Sequence, residues 1–285
     1  MRHFSLAAAF AMSALAVGCG GSAQAAPALG PFLANGSRDL VVIGDFGVGG
    51  SAERRLGAAV RAYVRTDGAG LLLTVGDNDY STGRYFSGNW SSSFGWTREE
   101  GVRIAGALGN HDVLVGGGRY EFDELAMSQP YYRRSFGSVD LFVLDSNRPQ
   151  DRSQRAWLER ALAKSTARWK IGVFHHAAYS CGLHSDQPWM RPLVGLMRTH
   201  GVRLVLTGHD HNYQRFELNG LTEVVTGWGA AGLYPVGHCP KGTPAPAASR
   251  DDVHGFLALR VLPQRLEGEA ITLGGKQVDS FRVEP

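Results

Sequence analysis

The sequence is short of the features that define several function classes. Its 29 Lys and Arg are scattered among 26 Asp and Glu for a formal net charge of +3, and no basic run forms. That argues against nucleic acid as a partner and leaves a weak attraction for anionic substrates. There is no G-x-S-x-G to seat a nucleophilic serine. Gly44-Asp45-Phe46-Gly47-Val48-Gly49 departs from the G-x-G-x-x-G spacing of a dinucleotide fold, and no internal repeat is apparent. The apolar run at the N-terminus, Phe4 to Val17, is too short to span a membrane as a stable helix.

That run follows Met1-Arg2-His3 in the charge-then-apolar order of a secretory signal. Residues 1–25 are therefore expected to be removed, residues 26–38 to form a Pro- and Gly-containing linker, and residues 39–285 to form one folded domain. Two cleavage sites are written in the segment. Ala23-Gln24-Ala25 is an A-x-A site, whereas Ala16-Val17-Gly18-Cys19, followed by Gly20-Gly21-Ser22, has the form of a lipoprotein box that would leave a lipid anchor on Cys19. Of three cysteines, Cys181 and Cys239 then remain in the folded part. An oxidising compartment lets them pair, and one pair admits one connectivity; the alternative is two separate buried thiols.

With 44% apolar and 19% charged residues, 285 residues can bury one large core. Leu40 to Asp45 reads as a buried strand, and the glycines at 47, 49 and 50 turn the chain into a helix over Ala52–Arg65, with Ser51 as its cap. Residues 81–99, rich in Gly, Ser and aromatics, read as a long loop beside the site whose aromatics either face substrate or pack beneath it. Further strands are expected near 104–109, 131–136, 139–145, 169–174 and 202–207, with helices over 150–164 and 189–200. Beyond His211 the pattern turns to strands, including a hairpin at Asn219-Gly220, with a loop over 232–252.

Five apolar runs end in polar groups that can hold metal ions: Asp45; Asp77 with Tyr80 in Gly76-Asp77-Asn78-Asp79-Tyr80; Asn110 in Gly109-Asn110-His111-Asp112; His175; and the pair His209 and His211. Strand ends of an open α/β sheet are where ligands collect. A carboxylate such as Asp77 can bridge two ions, with imidazole and amide donors suiting a divalent ion and a carboxylate pair plus phenolate a more oxidised one.

These five stretches, in this order, resemble the motifs of the purple acid phosphatases, a branch of the calcineurin-like metallophosphoesterases, and the chain length is similar to the compact mammalian type. The resemblance implies an α/β four-layer sandwich, helix, sheet, sheet, helix, with mixed sheets and a dinuclear site at the C-terminal rim of the strands. It implies that Asp45, Asp77, Tyr80 and His211 hold Fe(III), and that Asp77, Asn110, His175 and His209 hold a divalent Fe, Zn or Mn ion. Relatives generally carry His two residues after the first Asp; here Gly47 stands there, and Tyr80 would make up the lost ligand. Counting along the family motif makes His175 the ligand and leaves His176 on the site wall. His111 and His184 become the catalytic pair, binding phosphate together with Asn110 and assisting the leaving group, while Asp112, Asp79 and Asp210 support the ligands. The implied reaction is attack of a metal-bound hydroxide on a small phosphate monoester. The alternatives are a phosphodiesterase of the same family or a non-catalytic exported metal-binding module.

Overall fold

The computed structural model describes residues 38–285. The expected signal segment, its Cys19 box and the linker up to residue 37 lie outside the described residues. The chain begins β1 (Asp39–Ile43), α1 (Gly50–Asp67), β2 (Ala69–Thr74), α2 (Phe86–Phe94), α3 (Trp96–Glu99) and β3 (Arg103–Gly106). It continues β4 (Tyr132–Phe136), β5 (Val139–Val143), α4 (Arg152–Lys164), β6 (Trp169–His176), α5 (Arg191–Thr199) and β7 (Leu204–Gly208). It ends β8 (Tyr213–Glu217), β9 (Thr222–Thr226), β10 (Ala248–Arg250), β11 (Gly255–Val261), β12 (Leu266–Thr272) and β13 (Gln277–Val283).

The strands form two mixed sheets, ordered β13-β12-β11-β1-β2-β3 and β10-β8-β9-β7-β6-β5-β4. In the first, β1, β2 and β3 are parallel; in the second, β5, β6, β7 and β9 are. Parallel strands covered on both faces need apolar groups at every position, which is why these segments read as unbroken runs. The second sheet shows the division. Leu141, Val143, Val173, Leu204 and Leu206 join the core shared with Val41, Leu72 and Leu257 of the first sheet. Their alternating neighbours Phe142, Phe174 and Val205 face outward onto Leu158 and Leu162 of α4 and Leu193 and Met197 of α5. Leu56 and Val60 of α1 cover the first sheet. The layers therefore run helix, sheet, sheet, helix, as the resemblance implied.

Three expectations are corrected. Ser51 does not cap α1: the helix starts at Gly50, and the carboxylate of Glu53 accepts the N–H of Gly49 at 2.8 Å. The expected loop over 81–99 contains α2 and α3. Phe86, Trp90 and Phe94 recur every fourth residue, a helical spacing that the Gly and Ser content hides, and all three are buried, with Phe46 5.3 Å from Phe94 and 6.2 Å from Trp90. These aromatics are core and not a substrate wall. Within the expected loop over 232–252, Ala248–Arg250 forms β10 and pairs antiparallel with β8.

Candidate metal centre

The ends of β1, β2, β3, β6 and β7 meet across the gap between the sheets. Asp45, two residues past β1, is fully buried, and both its carboxylate oxygens accept the N–H of His209 just past β7, at 3.1 and 3.0 Å. Asp77, past β2, accepts the N–H of His111 at 3.0 Å. Asp45, Asp77 and His209 all hold positive φ, 51°, 50° and 73°, a conformation uncommon for residues other than glycine. The approach of the β3 end to Asp77 leaves no room at Gly109, where a Cβ would lie 2.1 Å from Asp77 Oδ1.

The donors converge. One ligand atom each from Asp45, Asp77 and His211 lies within 4.8 Å of the others. His211 Nδ1 is 2.7 Å from the carbonyl of Gly232, which turns Nε2 toward Asp45 Oδ1 at 3.4 Å. The Tyr80 hydroxyl reaches the same Nε2 at 3.0 Å. On the other side of Asp77, His175 Nδ1 meets the carbonyl of Val75 at 3.0 Å, and its Nε2 points to Asp77 Oδ1 at 3.4 Å and Asn110 Oδ1 at 3.1 Å. A backbone carbonyl on one ring nitrogen fixes the tautomer that frees the other as a ligand. His209 lies beside this group, its ring 5.1 Å from that of His175. The structure thus brings all seven expected ligands together, in two sets that share Asp77.

The electrostatics favour cations. Burial pushes the Asp45 carboxyl well above its ordinary range. Burial acts the same way on Asp77, but the His175 charge and the His111 N–H outweigh it and hold that carboxyl low. Burial would lower His175, yet Asp77 and Asp45 draw it up to about 9. The carboxylates thus hold charge on His175 against burial, whereas burial, then the His175 charge, lowers His209 to about 2, and burial lowers His211. For the Tyr80 phenol, burial and then the charges of Asp45 and Asp77 push the pKa far up, so only a strong Lewis acid beside it would ionise it. Buried carboxylate, imidazole, amide and phenol oxygen form a donor set that fits two metal ions.

Supporting groups surround the donors. Asp112 accepts from Asn78 N, Asp79 N, Asn78 Nδ2 and Gly109 N at 2.7–3.0 Å, tying the β2 and β3 ends together. Asp79 closes its own turn through Ser81 and Gly83. Asp210 accepts the His184 N–H at 2.8 Å and the Ser180 hydroxyl. His176 bonds Ser146 Oγ through Nδ1 at 2.8 Å, and its ring is 4.5 Å from His209; burial, then His175, lowers it to about 3. It therefore borders the donors without pointing a free ring nitrogen at Asp77. On the open side, His111 packs on Tyr80 with ring centroids 4.4 Å apart, and the exposed His184 stacks on His209 at 4.3 Å.

Sequence reasoning missed Tyr234. Its ring lies flat on His211, 4.1 Å away and 11° from parallel, and its centroid is 5.2 Å from that of His184, the two rings 76° apart. It belongs to a Pro- and Gly-rich segment held by the Tyr234 N–H on the His211 carbonyl at 3.0 Å and tied to the His184 segment by the Cys181–Cys239 disulfide, which does form. The cysteine pair was the available signal, since it joins the His184 segment to the one carrying Tyr234. Ser146 was missed also; its hydroxyl accepts the N–H groups of both His175 and His176.

Residues 33–213 match the calcineurin-like phosphoesterase family model, and the chain belongs to that family. Its relatives are acid phosphatases. Tartrate-resistant acid phosphatase type 5 of Sus scrofa is 28% identical over 234 residues, covering 67% of this chain and 69% of its own length. Purple acid phosphatase 7 of Arabidopsis thaliana is 26% identical over 267 residues, 80% of each. Among solved structures, a purple acid phosphatase from yellow lupin seeds shares the fold with a TM-score of 0.73 at 19% identity, over 86% of this chain and 53% of that one. GAP50, described as the anchor in the inner membrane complex of Plasmodium, does so at 0.71 and 15%, over 86% and 88%.

Proposed function

We propose that the chain is an exported phosphatase that hydrolyses small phosphate monoesters at an Fe(III) and divalent Fe, Zn or Mn pair. A fold shared with an acid phosphatase and with an anchor does not choose between them; side chains do. The reading is carried by one observation: two donor sets meet at Asp77, with His211, Asp45 and Tyr80 on one side and His175, Asn110 and His209 on the other. Export is supported by the N-terminal segment alone, with release to the periplasm or medium and a lipid anchor at Cys19 as its two forms. Among the described residues no helix is long and apolar enough to cross a membrane.

Two cations held by Asp45, Asp77, Tyr80, His211, Asn110, His175 and His209 would supply Lewis acidity to the phosphate oxygens and to a water. The protein's own residues do the rest. Asn110 and His111 leave the β3 end toward the open side, where they bind phosphate oxygens. Asp210 holds the backbone of His184 so that its imidazole faces the same opening, stacked on His209. His184 and His111 offset charge on the transferred group and supply a proton to the departing oxygen. No side chain becomes covalently attached.

Metal analysis of the full chain with a substrate panel tests this. We expect about two metal ions per chain and multiple-turnover release of phosphate from p-nitrophenyl phosphate and β-glycerophosphate. Faster turnover of bis-p-nitrophenyl phosphate would replace monoesterase by diesterase; bound metals without turnover would make the chain a metal-binding module.

A further inference from the structure

Among the described residues, the large apolar side chains that face solvent are Val48, Tyr85, Leu114, Val115, Leu183 and Trp189. Each lies on a segment leaving β1, β2, β3 or β6, the strands whose ends carry the candidate ligands. An exposed apolar patch beside a site marks a place where something apolar is bound. Three of the six, Tyr85, Leu114 and Val115, share the flank next to Tyr80 and His111.

That flank consists of two short segments running side by side. They start from the contact between the Tyr80 and His111 rings and meet again where a Cβ on Gly83 would come within 2.0 Å of the Tyr120 ring. Asp79 tightens the first segment through the N–H groups of Ser81 and Gly83, and the carbonyl of His111 turns the second by accepting the N–H of Leu114 at 3.3 Å. Leu114, 65% exposed, stands between the two contacts, and Tyr85, 59% exposed, lies just beyond the second, two residues past Gly83.

Two cations border this apolar strip. The Arg84 guanidinium lies 5.7 Å from the centre of the Tyr85 ring. That of Arg119 lies 4.9 Å from the centre of the Tyr120 ring and donates to its hydroxyl at 3.0 Å. Both are exposed. Arg61, Arg65 and Arg98 each pair with a glutamate, whereas neither Arg84 nor Arg119 forms an ion pair among the described residues. A guanidinium already laid on a ring loses less freedom when it grips an anion, and its planar fork suits phosphate or carboxylate.

We propose that Arg84 and Arg119 form a specificity subsite for leaving groups that carry a second anionic group at the far end of an apolar spacer. The spacer lies along Leu114 and Val115 toward the Gly83–Tyr120 contact that Arg84 and Arg119 flank, while the scissile phosphate occupies the metal centre beside His111. The substrate class is then an organic phosphate that is itself anionic beyond the ester. This rests on the phosphatase reading and deepens it.

The test uses the metal-loaded full chain and two measurements. Calorimetry compares hexane-1,6-bisphosphonate with hexylphosphonate, neither of which can be hydrolysed, in the wild type and in the Arg84→Gln/Arg119→Gln double variant. The bisphosphonate should bind about tenfold tighter at low ionic strength, beyond the about twofold advantage of a symmetric ligand, and the ratio should fall to about twofold in the double variant and shrink with added salt. Turnover of hexane-1,6-diol bisphosphate against hexyl phosphate should show the same ratio and the same loss. Equal affinities, or a preference that survives the double variant, would overturn the subsite. Retention of the protein by anionic vesicles without any bisphosphonate preference would also overturn it and give the flank to a membrane. A binding preference without turnover of either ester would leave the subsite standing and remove the phosphatase.

Discussion

The N–H of Tyr80 donates to the carbonyl of Gly47 at 2.9 Å, and a Cβ on Gly47 would lie 2.0 Å from the carbonyl oxygen of Asn78. No side chain fits at 47 while the segment carrying Tyr80 is drawn in this far. The bare glycine at 47 and the inward position of Tyr80 are therefore one structural choice. Gly47→Ala must push the two segments apart and should destabilise the chain by about 1 to 3 kcal/mol, with metal affinity falling in parallel. Thermal melts with metal titration check this; an unchanged Tm would refute the coupling.

Tyr80→Phe removes the phenol oxygen and little else. A phenolate on Fe(III) gives a visible charge-transfer band, so the oxidised wild type should be purple and the variant colourless even where iron is retained. Iron analysis beside the absorption spectrum decides it: full iron with no band in the wild type would take Tyr80 out of the ligand set.

His184 and His175 should separate on substitution. His184 is exposed and bonds through its backbone, whereas His175 is buried with Nε2 between Asp77 and Asn110. His184→Ala should keep both metals, losing about 10² to 10⁴ in kcat for an alkyl phosphate and much less for p-nitrophenyl phosphate, whose leaving group hardly needs a proton. His175→Ala should lose the divalent ion together with activity. Metal loss from His184→Ala, or equal slowing of both substrates, would contradict these roles.

The Cys181–Cys239 bond closes a separation of 58 residues. Replacing both cysteines by serine should cost about 2 to 5 kcal/mol in urea denaturation. Asp210 still holds the His184 N–H and Gln214 still accepts the Cys181 N–H at 2.8 Å, so the folded variant should turn over substrate at nearly the wild-type rate. Two reactive thiols at these positions in denatured, unreduced protein would show that the bond is absent in solution.

Glu223 on β9 is fully buried and accepts the N–H of Ala178, and burial raises its carboxyl to about 8 from an ordinary 4.5. A raised folded-state pKa means that the fold prefers the protonated form. Its contribution is complete below about pH 4.5 and is lost as pH rises through about 8, at about 1.4 kcal/mol per pH unit within that window. Glu223→Gln keeps the acceptor and removes the titration, so its Tm should exceed that of the wild type at pH 8 and the two should converge near pH 5. Parallel profiles would show Glu223 to be ionised throughout.

The parts legible in the sequence were those written in local patterns. The parallel strands announced themselves as apolar runs, and each candidate ligand lies at or within a few residues of the end of such a run, so Asp45, Asp77, Asn110, His175 and His209 could be named without knowing their distances. The hairpin at Asn219-Gly220 was visible in its turn chemistry. What stayed hidden was set by contacts remote in the chain. Tyr234 reaches His211 only because its segment returns across the site, Ser146 bonds two histidines 29 and 30 residues on, and β10 exists only as a partner for β8. The helix over Phe86–Phe94 was lost for another reason: glycine and serine lowered its local propensity while burial of three aromatics supplied the stability.

Asp45, Asp77 and His209 keep a backbone conformation that glycine or asparagine adopts with less strain, at a cost of about 1 kcal/mol each. Selection for catalysis opposes relief of that strain. In a lineage where the same fold has been recruited as a scaffold, nothing does, and these positions become the ones where drift toward glycine or asparagine makes the protein sturdier. Abandoned chemistry would then be dated less by the loss of histidines, which still pack, than by the relaxation of three turns.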